Sequence, residues 1–247
     1  MRTFSIRGVP DNIRRRMKSE NLELTSAELA DVLGVSHRHA STLLKEGAIA
    51  GRQLTSSAWM TSPIAVERYL NTARQGRGRT LEPESAWGIL WMLAGRETPW
   101  LPRSTAYRLR QDLGLMTATE IVRAVSARTK TCHFEGWPGS NALTGLILTG
   151  APVASRIPGL RSRRRMICGY ADASWIEDRP PRIGLTPRYD GVHVVLEKNF
   201  PFDYRDVRMP DVVIAADLAA WSTGDSHRRE AALRAVTNSH RDFVASL

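Results

Sequence analysis

Apolar positions near the start of the chain follow helical spacing. Leu29, Val32 and Leu33 recur at the i, i+3, i+4 interval that places side chains on one face of a helix. Thr25 or Ser26 precedes this run and can cap it, because a hydroxyl oxygen accepts hydrogen bonds from the free backbone N–H groups of the first turn. The pattern predicts an amphipathic helix that begins near residue 25.

A glycine and a second amphipathic segment follow directly. Gly34 is expected to end the first helix, because glycine adopts the left-handed backbone of a helix C-cap at little cost. Ser36 can cap the second helix, whose apolar side consists of Ala40, Leu43 and Leu44. Two short helices joined by a glycine turn are typical of a helix-turn-helix.

The opposite face of the second helix is polar and cationic. Short hydrogen-bonding groups and cations suit base edges and phosphates in the major groove of DNA. The alternative interpretation is an ordinary solvated helical hairpin. The candidate DNA-binding residues on this face are Ser36, His37, Arg38, Ser41, Thr42 and Lys45.

The next segment predicts a β-hairpin and a closing helix. A turn at Gly47 leads to strands over 49–54 and 58–61 and to a helix over 63–70. Two short strands and a closing helix after a helix-turn-helix make a wing, so residues 25–70 are expected to form one domain.

This order of elements resembles the excisionase-like winged helix-turn-helix family. The resemblance implies that Ser36 to Lys45 form the recognition helix and that Gly51 and Arg52 lie in the wing. It also implies a DNA-binding domain over 25–70. The loop over 53–57 contains more Thr and Ser than basic residues, which departs from a strongly basic wing.

Two further regions separate this domain from the rest of the chain. Residues 71–82 predict a linker, and their Arg74, Arg77 and Arg79 suit either the DNA backbone or solvent. Residues 83–128 predict a helical connector. Its helices are expected to begin at Pro83, at Arg103, and after a Thr117 or Thr119 cap. A bridge between domains is the favoured interpretation of these helices, and the alternative is an extension of the basic face through Arg103, Arg108, Arg110, Arg123 and Arg128.

Two tryptophans lie on the first of these helices. Trp87 and Trp91 are four residues apart and therefore share a face. Core packing is the favoured interpretation, and a platform for base stacking is the alternative.

From residue 129 the pattern alternates with the period of β-strands. Cys132 and Phe134 are predicted on one face of a strand, and His133 and Glu135 on the other. Residues 129–247 therefore predict an α+β domain, and the whole chain is assigned to the α+β class. This domain's further strands are expected over 166–170, 174–177 and 191–197, and its helices over 141–146, 210–221 and 226–238.

The net charge of +10 favours a polyanionic partner. Residues 1–130 carry 20 Lys and Arg against 12 Asp and Glu, whereas residues 131–247 carry 15 against 13. The excess lies with the predicted DNA-binding half. Residues 1–24 predict a basic arm, in which Arg14, Arg15 and Arg16 suit phosphates or the minor groove.

Composition and motifs argue against several other classes. Only two cysteines, Cys132 and Cys168, are present, which favours a reducing cytoplasm over a disulfide scaffold. Metal-ligand spacings, a phosphate-binding loop, a nucleophile elbow and long apolar runs are missing from the sequence. His193 sits in an apolar strand and is interpreted as a core histidine. The sequence therefore predicts no metal, no cofactor and no catalysis.

The second half resembles another family. A strand that enters Trp-Pro-Gly is followed by a Leu-Thr-Gly segment, several strands, and an apolar helix with Asp-Leu before a Glu-Ala-Ala helix over 212–232. This layout is similar to the AbiEi-like antitoxins of type IV toxin–antitoxin systems. The resemblance covers residues 83–245 and implies a partner, a nucleotidyltransferase-like toxin.

We therefore expect a sequence-specific regulator that binds double-stranded promoter DNA as two copies, with Arg38 and Lys45 as leading contacts. Arg38 suits either a guanine edge or a phosphate. An autorepressing antitoxin is the leading interpretation. A phage repressor or excisionase-like factor is the first alternative, and a protein-interaction adaptor is the second.

Overall fold

The computed structural model describes residues 23–56, 58–73, 81–139, 141–163, 165–204 and 208–247. The chain divides into two compact units. The first comprises Met1–Leu70 with Thr223–Ser226, and the second comprises Asn71–Ser222 with His227–Leu247. Both helices and strands are present, as an α+β chain requires.

The first unit begins with a strand and two helices. Strand β1 is Leu24–Thr25, helix α1 is Ser26–Leu33 and helix α2 is His37–Lys45. A capping box starts α1: the Glu28 N–H donates to the Thr25 hydroxyl at 3.2 Å, and the Thr25 N–H donates to the Glu28 carboxylate at 2.9 Å.

Both predicted helix caps, at the end of α1 and at the start of α2, are confirmed. Gly34 ends α1 with a left-handed backbone, at φ 66°. Ser36 caps α2, where its hydroxyl accepts a hydrogen bond from the His39 N–H at 3.2 Å. The turn between the helices is therefore encoded by local chemistry.

A small sheet and a helix complete the first unit. Strands β2 (Gly51–Gln53) and β3 (Trp59–Thr61) form an antiparallel hairpin. Strand β1 pairs with the free side of β3, which gives the order β1-β3-β2. Helix α3 follows at Pro63–Thr72. The hairpin and the closing helix were predicted, whereas the two-residue strand β1 was not.

Removing the capping box provides a test of the first unit. Thr25→Ala should lower its free energy of unfolding by about 1 kcal/mol, because the Glu28 N–H loses its acceptor. Urea unfolding followed by circular dichroism would measure the change. Thr25→Ser keeps the acceptor oxygen and should stay close to the parent. Equal stabilities for the alanine and serine variants would contradict the proposed role of the cap.

The second unit begins with three helices that belong to its main core. They are α4 (Pro83–Leu93), α5 (Arg103–Gly114) and α6 (Ala118–Ser126). Trp87 is fully buried and Trp91 nearly so, with their rings 6.0 Å apart in a T-shaped contact. The favoured prediction of core packing is therefore confirmed. These helices share one hydrophobic cluster with residues 151–243 and are part of that core, so residue 129 does not divide it.

A five-stranded sheet lies in the same unit, formed by β4 (Thr131–Gly136), β5 (Ile147–Leu148), β6 (Cys168–Ala171), β7 (Leu185–Pro187) and β8 (His193–Glu197). The strand order in the sheet is β5-β6-β8-β4-β7. Strands β6 and β8 are parallel, and the other neighbouring pairs are antiparallel. The predicted alternation of β4 is confirmed: Cys132 and Phe134 both pack in a smaller core cluster that includes Ile167 and Val195, whereas the His133 ring between them contacts Trp221, which packs against the main cluster.

Four helical segments accompany this sheet. A 3₁₀ helix, Ala151–Arg156, follows β5, and helix α7, Ala173–Arg182, follows β6. Helices α8 (Asp211–Trp221) and α9 (Ser226–Val244) end the chain. Every residue of α8 from Val212 to Ala220 is buried, so this helix is surrounded by the core.

Two predicted elements of this unit are wrong. Residues 174–177 form part of helix α7 rather than a strand, because Trp175 and Ile176 pack side by side against the smaller core cluster. Residues 141–146 form turns rather than a helix. Gly145 takes a left-handed backbone there, at φ 83°, and the Thr144 carbonyl accepts a hydrogen bond from the Trp175 indole at 3.0 Å.

Candidate nucleic-acid interface

Helix α2 presents a mixed polar and cationic stripe opposite its buried side. Its buried residues are Ala40, Leu43 and Leu44. With about 100° between successive residues, the centre of the opposite face falls at Arg38, Thr42 and Lys45. Arg38 and Lys45 are exposed, and Thr42 is partly exposed. This stripe is the part of α2 that a DNA groove can reach.

Three of the predicted contacts on α2 already have hydrogen-bonding roles within the unit. Ser36 is the N-cap of the helix. The Thr42 hydroxyl donates to the Arg38 carbonyl at 3.0 Å, one turn earlier, which leaves its oxygen lone pairs for a ligand. His37 Nε2 lies 2.8 Å from the Ser26 hydroxyl of α1. His37 therefore joins the two helices, on the flank of the stripe.

Two other residues complete the description of α2. Ser41 lies beside the stripe and is partly exposed. His39, which is not among the predicted contacts, is exposed on the other flank of the stripe. Helical periodicity alone predicts this position, so His39 could have been identified from the sequence.

Arg52 is held by an ion pair in the hairpin. Its guanidinium donates to both carboxylate oxygens of Glu23, at 2.7 and 2.5 Å. Such a fork-like pair is geometrically specific. The Arg52 side chain remains 51% exposed, so the hairpin still presents a cation at its surface. Contact with a phosphate would compete with Glu23 for the same donors.

The remaining predicted contacts, Arg14, Arg15, Arg16, Arg77 and Arg79, lie outside the described residues. The sequence nevertheless shows how charge is distributed between the helix pair and the segment that precedes it. Residues 23–70 contain four basic and five acidic residues, whereas residues 1–22 contain six basic and two acidic residues. The positive charge of the N-terminal half therefore flanks the helix pair rather than residing in it.

The second unit contains a buried ionic cluster that the sequence analysis missed. Arg128 belongs to the basic face in the alternative interpretation of the connector, yet its side chain is 1% exposed and ion-paired with the fully buried Asp217. The Tyr170 hydroxyl donates to Asp217 at 2.5 Å, and the Thr149 hydroxyl donates to it at 2.7 Å. Burial of the guanidinium is tolerated because a carboxylate and these hydroxyls accompany it.

The electrostatics of the cluster shift the pKa values of several of its groups. Burial disfavours the charged guanidinium, but the electrostatic attraction of Asp217 and Tyr170 and the hydrogen bonds to both together outweigh it, so the pKa of Arg128 is raised. Burial raises the pKa of Tyr170 well above its ordinary value, against the opposing effect of Arg128. Burial likewise raises the pKa of the Cys168 thiol, and the Asp217 charge adds to that shift. The thiol is thus unsuited to act as a nucleophile.

His193 is a buried histidine whose ring nitrogens both have backbone partners. Its Nδ1 accepts from the Ile167 N–H at 3.1 Å, and its Nε2 lies 3.1 Å from the Gly136 carbonyl. This pattern corresponds to a neutral ring with the proton on Nε2. The prediction of a core histidine is confirmed.

In the described ranges, no group of three or more His, Cys, Asp and Glu side chains could hold a metal ion. The described helices include none with the length and apolar character needed to cross a membrane.

Comparison of the chain with protein-family models, with curated proteins and with solved structures gives no match. The functional argument therefore rests on the arrangement of residues in the two units.

Proposed function

We propose that this protein is a sequence-specific DNA-binding transcriptional regulator with a winged helix-turn-helix in its first unit. The observation that carries the proposal is the exposed stripe of Arg38, Thr42 and Lys45 on the second helix of a capped helix pair. A recognition helix needs such cations and hydroxyls on the face that enters the major groove.

The hairpin of β2 and β3 serves as the wing in this proposal. Its Arg52 supplies a cation beside the helix pair, while Ser41 and Ser36 offer further hydroxyls on α2. A single recognition helix with a short wing covers little DNA surface, so two copies of the chain are expected on a repeated operator.

The flanking basic segments provide much of the affinity. Because residues 23–70 have one more acidic than basic residue, phosphate attraction must come from elsewhere in the chain. Arg14, Arg15 and Arg16 of the arm and Arg77 and Arg79 of the linker are the nearest candidates in sequence. We propose that these segments hold the DNA backbone while α2 selects the sequence.

An autorepressing antitoxin of a type IV system, located in the cytoplasm, remains our proposal for the biological role. It is supported by the resemblance of residues 83–245 to AbiEi-like proteins. Of the residues that match best, Val212 to Ala232, those from Val212 to Ala220 are all buried in α8. This part of the match therefore reflects the packing of the helix. Because buried residues cannot contact a partner, other residues at the surface must contact a nucleotidyltransferase-like toxin.

Binding to the upstream region of the protein's own gene tests the proposed function. We expect a saturable mobility shift that persists in excess competitor DNA and weakens as salt increases. An unrelated duplex of equal length is the control. Equal affinity for the two duplexes over the salt series would contradict sequence-specific regulation.

A further inference from the structure

A long stretch of the second unit has arginines but no acidic residues. Between Glu135 and Asp172 the chain contains five arginines and no aspartate or glutamate. Four of these arginines fall within Arg161–Arg165, in the loop that connects the 3₁₀ helix to strand β6. Arg164 lies outside the described residues.

The backbone of this arginine loop is fixed by hydrogen bonds. The Arg163 N–H donates to the Ala151 carbonyl at 2.8 Å. The Ser162 hydroxyl accepts from the Ser155 N–H at 3.1 Å and donates to the Ser155 hydroxyl at 2.9 Å. The loop is therefore attached to the 3₁₀ helix at Ser162 and Arg163. A fixed backbone reduces the conformational entropy that the loop would lose on binding a ligand.

The described arginine side chains of the loop are open to solvent. Arg161, Arg163 and Arg165 are all exposed. Within the described part of the chain, no carboxylate pairs with Arg161 or Arg165. Behind the loop, the buried Arg228 donates to the Arg161 carbonyl at 3.1 Å, which adds a further cation beneath the surface.

More arginines adjoin the loop. Arg156 lines an open concavity of about 480 Å³ together with Ser155, Arg161 and Ser162. Arg156 also donates to the Met209 carbonyl at 2.7 Å and forms an ion pair with Asp211, so its charge is already matched. The excess positive charge of this surface therefore comes from the loop.

Arg208 extends the surface on the side of Met209. It is exposed and directly precedes Met209, whose carbonyl Arg156 contacts. We define the arginine surface as Arg156, Arg161, Arg163, Arg165 and Arg208.

We propose that the arginine surface is a second, sequence-independent contact with the phosphate backbone of DNA. Arginine forms paired hydrogen bonds with phosphate oxygens, and each phosphate that it neutralises releases counterions. The choice of DNA as the polyanion rests on the proposed function of the first unit. The Ser155 hydroxyl in the concavity, which accepts from Ser162, adds a donor for a phosphate oxygen, as is common in backbone contacts.

The salt dependence of binding by the full chain tests this proposal. The test variant is Arg161→Gln, Arg163→Gln and Arg165→Gln together. The matched control is Lys130→Gln, Arg182→Gln and Arg241→Gln, which removes three exposed cations elsewhere in the same unit. Dissociation constants would be measured by fluorescence anisotropy on the upstream region and on an unrelated duplex. Thermal unfolding would verify that both variants fold.

The expected result is a shallower salt dependence for the test variant alone. At about 0.9 per lost phosphate contact, the slope of log affinity against log salt should decrease by about 2 to 3 on both duplexes. The ratio of the two affinities should remain unchanged. An equal decrease in the control would show that only net charge matters and would overturn the proposal.

An unchanged slope in the test variant would also overturn it, and would leave an acidic protein as the polyanion that the surface fits. The unrelated duplex separates this proposal from the proposed function. If the parent binds both duplexes equally, sequence-specific regulation fails, yet the change in slope still tests the arginine surface.

Discussion

Replacing Arg128 with methionine is expected to destabilise the second unit by about 3 to 5 kcal/mol. The substitution leaves the buried Asp217 carboxylate without its cation, in a core where water cannot solvate it. The Tyr170 and Thr149 hydroxyls still donate to that carboxylate, but two neutral donors do not balance a buried charge. The remaining free energy of unfolding should therefore be small.

Arg128 also stabilises the core in other ways. Its guanidinium lies 4.7 Å from the centroid of the Trp87 ring and donates to the Val125 carbonyl at 2.8 Å. Its own carbonyl accepts from the Asn199 amide at 2.7 Å, a backbone contact that the substitution retains. The methionine variant loses the cation–π contact and one hydrogen bond to the end of α6, which increases the expected destabilisation.

Urea unfolding of the parent and two further variants would measure the effect. Arg103→Met removes an exposed arginine and should change the free energy of unfolding by less than about 0.5 kcal/mol. The double variant Arg128→Met with Asp217→Leu removes both charges and should recover part of the loss, because no buried charge remains unpaired. A single variant as stable as Arg103→Met would contradict the role assigned to the ion pair.

The parts of the fold that could be predicted are those with local signals. Thr25, Gly34 and Ser36 each act within one helical turn of their own position, so the boundaries of α1 and α2 follow from the sequence. Glycine at a left-handed C-cap and hydroxyls at N-caps have direct physical reasons. For the same reason, the polar stripe of α2 could be derived from spacing alone.

The ionic cluster depends on contacts between distant positions. Arg128 and Asp217 are separated by 89 residues, and the sequence does not show which arginine joins which carboxylate. One signal was available: Asp217 interrupts a run of apolar residues in α8. A charged residue in such a run requires a buried partner, but it does not identify that partner.

Helix α7 illustrates how tertiary packing can override a local pattern. Residues 174–177 are too few to distinguish a period of two from a period of 3.6. Proline disfavours the interior of a helix, yet Pro180 and Pro181 are both accommodated in the last turn of α7. The neighbouring core cluster, which includes Trp175 and Ile176, provides the burial that favours the helix.

Arg38→Ala is expected to weaken binding to the upstream region by about 1 to 3 kcal/mol, or roughly fivefold to 150-fold in dissociation constant. Arg38 lies at the centre of the exposed stripe of α2. Its side chain is exposed, so its removal should leave the helix pair folded. A midpoint of thermal unfolding equal to that of the parent would confirm that the variant is folded.

Arg38→Lys distinguishes between a contact of Arg38 with a guanine base and a contact with a phosphate. Lysine retains the charge but cannot form the two parallel hydrogen bonds that arginine makes with guanine. If Arg38 contacts a guanine, the lysine variant should bind almost as weakly as the alanine variant, with relaxed preference at one base pair. If it contacts a phosphate, lysine should restore most of the affinity on every sequence.

Lys45→Ala provides the matched comparison on the same face of α2. A phosphate contact by Lys45 predicts uniform weakening on the upstream region and the unrelated duplex, with the salt slope reduced by about 1. Together, the three variants divide the stripe into a residue that selects sequence and a residue that anchors the backbone. Wild-type affinity and discrimination in both Arg38→Ala and Lys45→Ala would mean that α2 is not the recognition helix, because its two central cations would then contribute nothing to binding.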